Sequence, residues 1–428
     1  MRQLFTSRVA YKPIKNMKAG AEFALSNRDL NTFSKMDRSD NIGYGLNLFF
    51  NQTINLKDST KAILMNGNYE FKQQDFKPLE RYRAVEFNRN WSINNDTVSQ
   101  DHLANFSISY IKQNKCNVSY NFSMLKQGNI YTGYENSLLV KYNTKGFETE
   151  NNIQYLYANT GNRNIHFFRP KINIAQNFAK NKTYKIGATL NNEINQQRNT
   201  LTDSLYNESF LWQEYGFYIQ NQDSLRQHFK LNYKLRFQHL AKGESFDKPY
   251  LKAHQIELTG RILAKKNHTL NYNLTYRNLQ QDTLFSAAKD LNHFYLGRID
   301  YGLVLWKGAV RANTMYEIGA GREQKIQYTY IEAPDGVGSF AWDDINENGV
   351  QELNEFYVSA FANENRFIKF FQNSLEFQPV NSTQFNQSIQ LNPKAVWFKQ
   401  KGFQSFIARF STNTAFQFSK KSICYRQY

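Results

Sequence analysis

The sequence predicts an all-β protein, an antiparallel up-and-down transmembrane β-barrel of about 16–18 strands with short turns on one side and long loops on the other. Three observations lead there. Apolar and polar residues alternate one by one over segment after segment. The apolar positions are rich in rings, with 35 Phe and 27 Tyr in 428 residues. Short polar turns take turns with longer connections along the chain.

Composition narrows the classes. Hydrophobic residues make up 41% of the chain, yet the mean hydropathy is −0.67, so apolar side chains are diluted by very polar neighbours. No stretch approaches the roughly 18 apolar residues that a membrane helix needs. Helical spans are excluded, but strand spans are not, because their signal per segment is much weaker.

The alternation is read strand by strand. Side chains on a strand point to opposite faces with period two. Ile42, Tyr44, Leu46, Leu48 and Phe50 form one apolar row. Ala104, Phe106, Ile108 and Tyr110 form another. A polar turn follows, and Cys116, Val118, Tyr120, Phe122 and Met124 continue the row against Asn and Ser. Further rows are Tyr184 to Leu190, Phe229 to Phe237, Ile256 to Ile262 and Leu270 to Tyr276. Then come Tyr295 with Ile299, Tyr301, Leu303 and Leu305, and Val310 with Ala312, Tyr316 and Ile318. Phe406, Ala408, Phe410, Phe416 and Phe418 extend the habit, and residues 419–428 break it.

Connections carry the second signal. Short polar turns are expected near 57–60, 112–115, 143–146, 179–182, 221–224, 265–268, 306–308 and 380–383. Longer connections are expected at 72–102, 125–136, 195–209, 238–253, 278–293 and 319–372. A chain threaded up and down through a membrane sorts its connections this way. A soluble sandwich or solenoid would also alternate, but it should bury Val/Ile/Leu-rich faces. Trp212 and Trp306 fall at expected strand ends, where an interfacial girdle would lie. With no linker or heptad, residues 1–428 read as a single β-barrel region in which 319–372 is a long loop.

That loop holds the sharpest motif. Asp344, Asn346, Asn348, Gly349 and Glu355 fit the pattern D-x-[DN]-x-[DN]-G-x5-E at every defined position. Calcium takes six to eight oxygens. Asp344, Asn346 and Asn348 would supply side-chain oxygens and Val350 a carbonyl. Glu352 would act directly or through water, and Glu355 would close the site. Only one of the first three ligands is charged, which suits modest affinity outside a cell. The flanks are extended, which favours a structural clip over a signalling helix pair.

Residues 78–91 interleave Arg and Glu with aromatics. They read as an internal ion-pair network that pins a long loop, ahead of a surface that grips an anionic glycan or lipid phosphate. The net charge of +17 is spread over strands. Lys230, Lys234, Arg236, Arg261, Arg277, Arg298 and Arg311 all fall on polar faces, partly offset by Glu193, Glu257, Asp300 and Glu317. A basic lumen would draw anionic solutes. Nucleic-acid binding fits poorly, since no basic patch or recognisable module is present. Cys116 and Cys424 read as small hydrophobes without a disulfide framework. The seven His residues are scattered, and no HExxH, GxSxG, P-loop or GxGxxG motif occurs, so an enzyme is not expected.

Two segments carry a resemblance: residues 78–91, and the run from Tyr316 through Tyr330 to Trp342, Asp344 and Asn354–Glu355–Phe356. They resemble large outer-membrane barrel proteins of Gram-negative gliding and related bacteria, in which a strand leads into a DxNxNG loop. Tyr357 departs from that pattern, where an acidic residue is common. The resemblance implies an outer-membrane location. Some giant barrels of this kind are protein-secretion translocons. Those proteins are much longer, and residues 1–5 open no apolar signal segment. The chain is therefore expected to be a fragment whose export signal lies upstream. The function expected is a conduit or surface scaffold in the outer membrane, touching its lipid and lipopolysaccharide, with a plug or partner protein on the polar side. An outer-membrane hydrolase with a loop-borne site and a soluble adhesin or lectin are the alternatives.

Overall fold

The structure, a computed structural model, describes residues 2–29, 40–58, 60–93, 99–113, 115–144, 146–178, 183–222, 226–264, 267–281, 293–334, 336–361, 364 and 366–423. Two compact units result, Met1–Ile262 with Thr275–His293, and Leu263–Leu274 with Phe294–Tyr428.

The first unit is an antiparallel meander. Its strands are β1 (Arg2–Tyr11), β2 (Met17–Arg28), β3 (Ile42–Asn55), β4 (Lys61–Lys72), β5 (Asp101–Lys112), β6 (Cys116–Gln127) and β7 (Tyr131–Thr144). They continue as β8 (Phe147–Asn159), β9 (Arg163–Phe178), β10 (Tyr184–Asn199), β11 (Phe210–Asn221) and β12 (Gln227–Lys242). A two-residue β13 (Ser245–Phe246) and β14 (Leu251–Ala264) follow. Each strand from β1 to β12 pairs with the next, and β12 pairs with β14. β15 (His268–Gln281) spans the division between the units. One short helix, α1 (Phe87–Asn90), interrupts the β4–β5 connection.

The second unit holds β16 (His293–Leu305), β17 (Val310–Glu332), β18 (Phe340–Trp342), β19 (Phe356–Val358), β20 (Phe367–Leu391) and β21 (Thr412–Ile423). β17 pairs with β16 and β20, and β20 pairs with β21, all antiparallel. Two short helices, α2 (Lys394–Trp397) and α3 (Phe403–Ile407), lie between β20 and β21.

Connections sort by side within the first unit. Those after β1, β3, β5, β7, β9 and β11 have five residues or fewer; on the other side, those after β2, β4 and β10 and between β12 and β14 are longer, while those after β6 and β8 have three. Several expected bounds move. The connection expected at 125–136 is a tight turn, because Gly128 takes φ 51 and lets both strands run on. The 319–372 loop shrinks to 333–366, since β17 and β20 extend through its ends. The 380–383 turn lies inside β20. Pro379 and Asn381 looked like turn residues, but they pair with Arg322 and Ala320. Among the described residues, β21 reaches Val380. Phe406, Ala408 and Phe410 belong to α3 and its exit, and the strand instead runs Thr412–Ile423, through part of the segment where alternation fades. The 179–182 turn, most of 278–293 and Cys424 lie outside the described residues.

The alternation sorts side chains onto two faces. One carries exposed rings and aliphatics, among them Phe106, Tyr134, Ile174, Phe217 and Tyr233. Neighbouring strands of this face share a repeated couple, in which a Tyr hydroxyl meets a His Nδ1. The pairs are Tyr69–His102 (2.7 Å), Tyr155–His166 (2.8 Å), Tyr233–His254 (2.8 Å), Tyr276–His293 (2.8 Å) and Tyr301–His268 (2.7 Å). Five of the seven His residues are thereby given a local polar partner on an otherwise apolar face. The opposite face is polar and curls inward. Lys185 on β10 reaches Glu148 on β8 at 2.6 Å, and Tyr218 on β11 reaches Asn173 on β9 at 3.0 Å. Each crosses an intervening strand, a span of roughly 9–10 Å on a flat sheet.

Trp212 is a correction. It lies on the polar face, where the Arg236 guanidinium sits 4.2 Å from its ring centre. A cation–π contact favours this side over an interfacial girdle. Trp306 is 70% exposed at the β16–β17 turn, at a strand end as expected.

The β3–β4 turn gives a pH prediction. Asp58 accepts from the Thr60 hydroxyl (2.7 Å) and amide (3.1 Å) and pairs with Lys61 (3.1 Å). The Thr60 hydroxyl bond, then the amide bond, then Lys61 hold its carboxyl down at about 2 from the usual 3.8. A depressed carboxyl stabilises the fold above its unfolded value and loses that contribution as pH falls through the folded one. Asp58→Asn should therefore lower the unfolding midpoint above pH ~4 and converge with the parent near pH ~2. A difference that persists at the acid end would show that Asp58 acts otherwise than by its charge.

Candidate functional site

Two loops carry the polar chemistry. The first is the long β4–β5 connection, which folds onto the polar face of its own sheet. Its start is tied down where the Lys77 amide donates to the Ser26 hydroxyl at 3.0 Å, and Ser26 donates to the Gly43 carbonyl at 3.3 Å. Gly43 is needed there, because a Cβ would stand 2.1 Å from the Phe76 nitrogen.

Further on, Arg83 pairs with Glu70 of β4 at 2.7 Å. Arg89 pairs with Glu193 of β10. Arg169 of β9 donates to the Asn90 side chain at 2.7 Å and pairs with Glu135 of β7. Tyr131 donates to the Trp91 carbonyl at 2.6 Å, and Asn195 donates to the Ser92 hydroxyl at 2.7 Å. Trp91 packs among Leu103, Leu125, Leu156, Ile165 and Phe167, with Phe87 against the same cluster. These positions have polar-face parity, so the one buried apolar cluster of the described residues lies on the wet side, beneath the loop. The Arg/Glu run at 78–91 is thus an internal latch, as its pattern suggested. The apolar cluster that receives it went unread, because Leu103, Leu125, Leu156 and Phe167 are scattered singly among polar neighbours.

The basic residues expected to line a lumen are mostly engaged. Lys234 pairs with Glu257 at 2.8 Å, and Lys230 sits 4.6 Å from the ring centre of Tyr218. Arg236 stacks on Trp212. Arg261 also has a partner, and the Nε of Arg277 is buried without one. In the second unit, Arg298 is held by Asp300 (2.9 Å) and Glu317 (3.5 Å). Arg311 lies beside the Gly308 turn. Of the offsetting acids, Glu257, Asp300 and Glu317 are the partners in these pairs, whereas Glu193 is taken by Arg89 of the loop. The polar face is therefore a lattice of matched charges more than a uniformly basic surface.

The second loop is the DxNxNG segment. β18 and β19 form a miniature hairpin with Phe340 opposite Val358. Tyr330 of β17 stacks on Phe356 at 3.9 Å, and Phe367 of β20 meets Phe356 at 5.0 Å. This ring cluster fixes the loop base. Within the loop, Asp344 accepts from the amides of Asn348 (3.0 Å) and Gly349 (2.7 Å). Asn346 accepts from the Asn348 amide at 3.1 Å, and Asn348 accepts from the Val350 amide at 2.7 Å. Gly349 takes φ 70, which an L side chain resists. Glu352 accepts from the side chains of Asn346 (3.2 Å) and Asn348 (3.4 Å). Glu355 is 2% exposed; its Oε2 accepts from the Trp342 indole at 3.0 Å and the Glu352 amide at 3.2 Å. Its Oε1 is buried without a partner, a costly state for a carboxylate. Val350 is exposed. Among the described residues, no three His, Cys, Asp or Glu side chains gather as a metal cluster. The donors present here are mainly amide and carboxylate oxygens.

No protein-family model matches the sequence, and no curated protein matches it. Among solved structures, the chain is similar to the Pseudomonas aeruginosa FpvA receptor bound to heterologous pyoverdines. Identity is 10% and the TM-score 0.38, over 98% of this chain and 64% of that one. For the FpvAI–pyocin S2 complex the values are 9% and 0.37, over 98% and 65%. For the pyoverdine outer-membrane receptor FpvA of P. aeruginosa PAO1 they are 10% and 0.32, over 98% and 70%. The chain spans just under two thirds of the first two chains it matches. These scores are too low to extend the receptor's ligands or partners to this chain.

The latch predicts a graded response. Arg169 is 5% exposed, and removing one partner of a buried ion pair costs roughly 3–5 kcal/mol. Arg169→Ala should loosen residues 87–92 by that order. Tyr131→Phe should cost about 1 kcal/mol. Hydrogen exchange by mass spectrometry reads both, and unchanged exchange over 87–92 in Arg169→Ala would remove the latch.

Proposed function

We propose that the chain forms the wall of an outer-membrane β-barrel that serves as a conduit, narrowed on its wet side by the latched β4–β5 loop. One observation carries this: rows of Phe, Tyr, Leu and Ile stand exposed along the face opposite the ion-paired one, and among the described residues no second layer covers them. Fully burying one such side chain is worth roughly 1.5–3 kcal/mol. Soluble monomers rarely expose apolar patches beyond a few hundred Å². A hydrocarbon layer is the solvent that suits the rows, and the polar face then borders water. Among the described residues β1 pairs only with β2, and in that layer its other edge requires a partner strand, by closure or from another segment. Short turns face the periplasm and longer loops the outside. The matched charges favour passage of small polar solutes of either sign over strong anion selection. The resemblance to gliding-bacteria barrels supports the same placement.

Insertion into planar bilayers should give discrete conductance steps, enlarged in Arg169→Ala as the loop is released. Silent bilayers with both proteins would leave a surface scaffold in place of the conduit. Monodisperse purification without detergent would defeat the membrane wall itself.

The 343–355 loop is proposed as a calcium clip. Asp344, Asn346, Asn348, Glu352 and Glu355, with the Val350 carbonyl, would hold the ion. The spacing, the left-handed Gly349 and the orphaned Glu355 oxygen support it. When bound, calcium would supply charge to the buried carboxylate and order the loop. Isothermal titration of the full chain should give a Kd of about 10⁻⁴–10⁻³ M, lost in Glu355→Gln. The absence of heat at millimolar calcium would eliminate the site.

A further inference from the structure

We infer that the β20–β21 connection, residues 392–411, is an interfacial anchor that seats on acidic phospholipid at the short-turn side of the membrane. The inference rests on the membrane placement proposed above. The connection departs from the turn pattern. Within the second unit, the β16–β17 connection at the same end of the strands has four residues, and this one folds into α2 and α3.

Its position is defined. The Asn392 amide donates to the Ala309 carbonyl at 2.7 Å, which ties it to the β16–β17 turn. Val310 and Leu391 are register partners whose parity matches the ring-bearing face. Together with Trp306, Val396, Trp397 and Ile407 they line an apolar cavity of about 530 Å³. The helices therefore lie at the edge of the apolar face.

Its chemistry is two-sided. Phe398, Phe403, Phe406 and Phe410 are 56–74% exposed. Lys394, Lys399, Lys401 and Arg409 accompany them, and no acidic residue occurs between 392 and 411. None of these four cations has an ion pair among the described residues. Exposed rings with unmatched cations, and no acid among them, suit the boundary between acyl chains and anionic headgroups. Continuity with the apolar strand face and the one-signed charge favour lipid over a second copy of the chain.

The test uses the full chain in vesicles of phosphatidylcholine, with or without one third phosphatidylglycerol. Trp91, Trp212, Trp306 and Trp342 are replaced by Phe, leaving Trp397 as reporter. Lipids brominated near the headgroup should quench Trp397 more than lipids brominated near the chain end. Phosphatidylglycerol should strengthen the quenching severalfold, and changing the four cations to Gln should abolish that gain. If the multiple variant fails to fold, the difference between parent and Trp397→Phe gives the same measurement. Phe217→Trp in a chain lacking Trp397 is the control for the strand face. Quenching at position 217 without quenching of Trp397 overturns the anchor and leaves the membrane wall. Quenching at neither overturns both. Quenching indifferent to phosphatidylglycerol overturns the acidic headgroup. Shielding from both bromolipid and acrylamide, with a crosslinked dimer, overturns lipid in favour of a second copy.

Discussion

Unbroken register is the constraint on which the rest depends. A strand can give its sides to two different media only while its alternation never slips, since a one-residue shift exchanges the faces. From β1 to β8 the pairings run without a shift. That continuity lets Phe106 and Tyr134 stay on one side while Glu135 and Leu103 stay on the other. A bulge in this region would turn a ring into the ion-pair lattice or a carboxylate into the apolar row. Either error is expensive: an unpaired charge in an apolar setting, or an apolar group in place of a salt-bridge partner.

The polar face solves a different problem. Charged side chains set among strand residues are costly if left unpaired. The curvature of the first unit brings next-nearest strands close enough for Lys185 to meet Glu148 and for Arg169 to meet Glu135. The β4–β5 loop then uses the same lattice, adding Arg83 and Arg89 to Glu70 and Glu193. Packing and electrostatics act together here: Trp91 supplies apolar contact, and the pairs around it give that contact its direction. Among the described residues, four unopposed cations, Lys394, Lys399, Lys401 and Arg409, remain on the β20–β21 connection.

Much of this was legible in the sequence, for reasons that can be named. Alternation is local and strong in β3, β5, β6 and β12, so those strands were visible directly. The 72–102 connection and the Arg/Glu latch were visible because Arg and Glu cluster there after Pro78 and the alternation lapses. The β17–β20 hairpin was misjudged, since Gly319, Gly321 and Pro379 punctuate it and only pairing across the hairpin overrides them. The partner of each charge was not legible, because Arg89 and Glu193 lie far apart in the chain and meet only through sheet curvature. The apolar seat beneath Trp91 was hidden for the same reason. The DxNxNG motif was legible as a pattern, whereas the burial of Glu355 depends on Trp342 and the rings around Phe356.

One feature of the second unit has a mechanical meaning. Among the described residues, β16 accompanies β17 only to Ile318, and β21 accompanies β20 only to Val380. Beyond them, among the described residues, Arg322–Glu332 and its partner strand continue as a two-stranded ribbon that β18 joins only at its far end, at Phe367, roughly 35 Å long at about 3.4 Å per residue. Near its root, Lys325 faces an extra stretch of β20, where the ladder is interrupted. Such a spot bends more easily than the ladder on either side. The DxNxNG loop is thus carried at the tip of a jointed mast, and a small tilt at Lys325 would carry it through a wide arc.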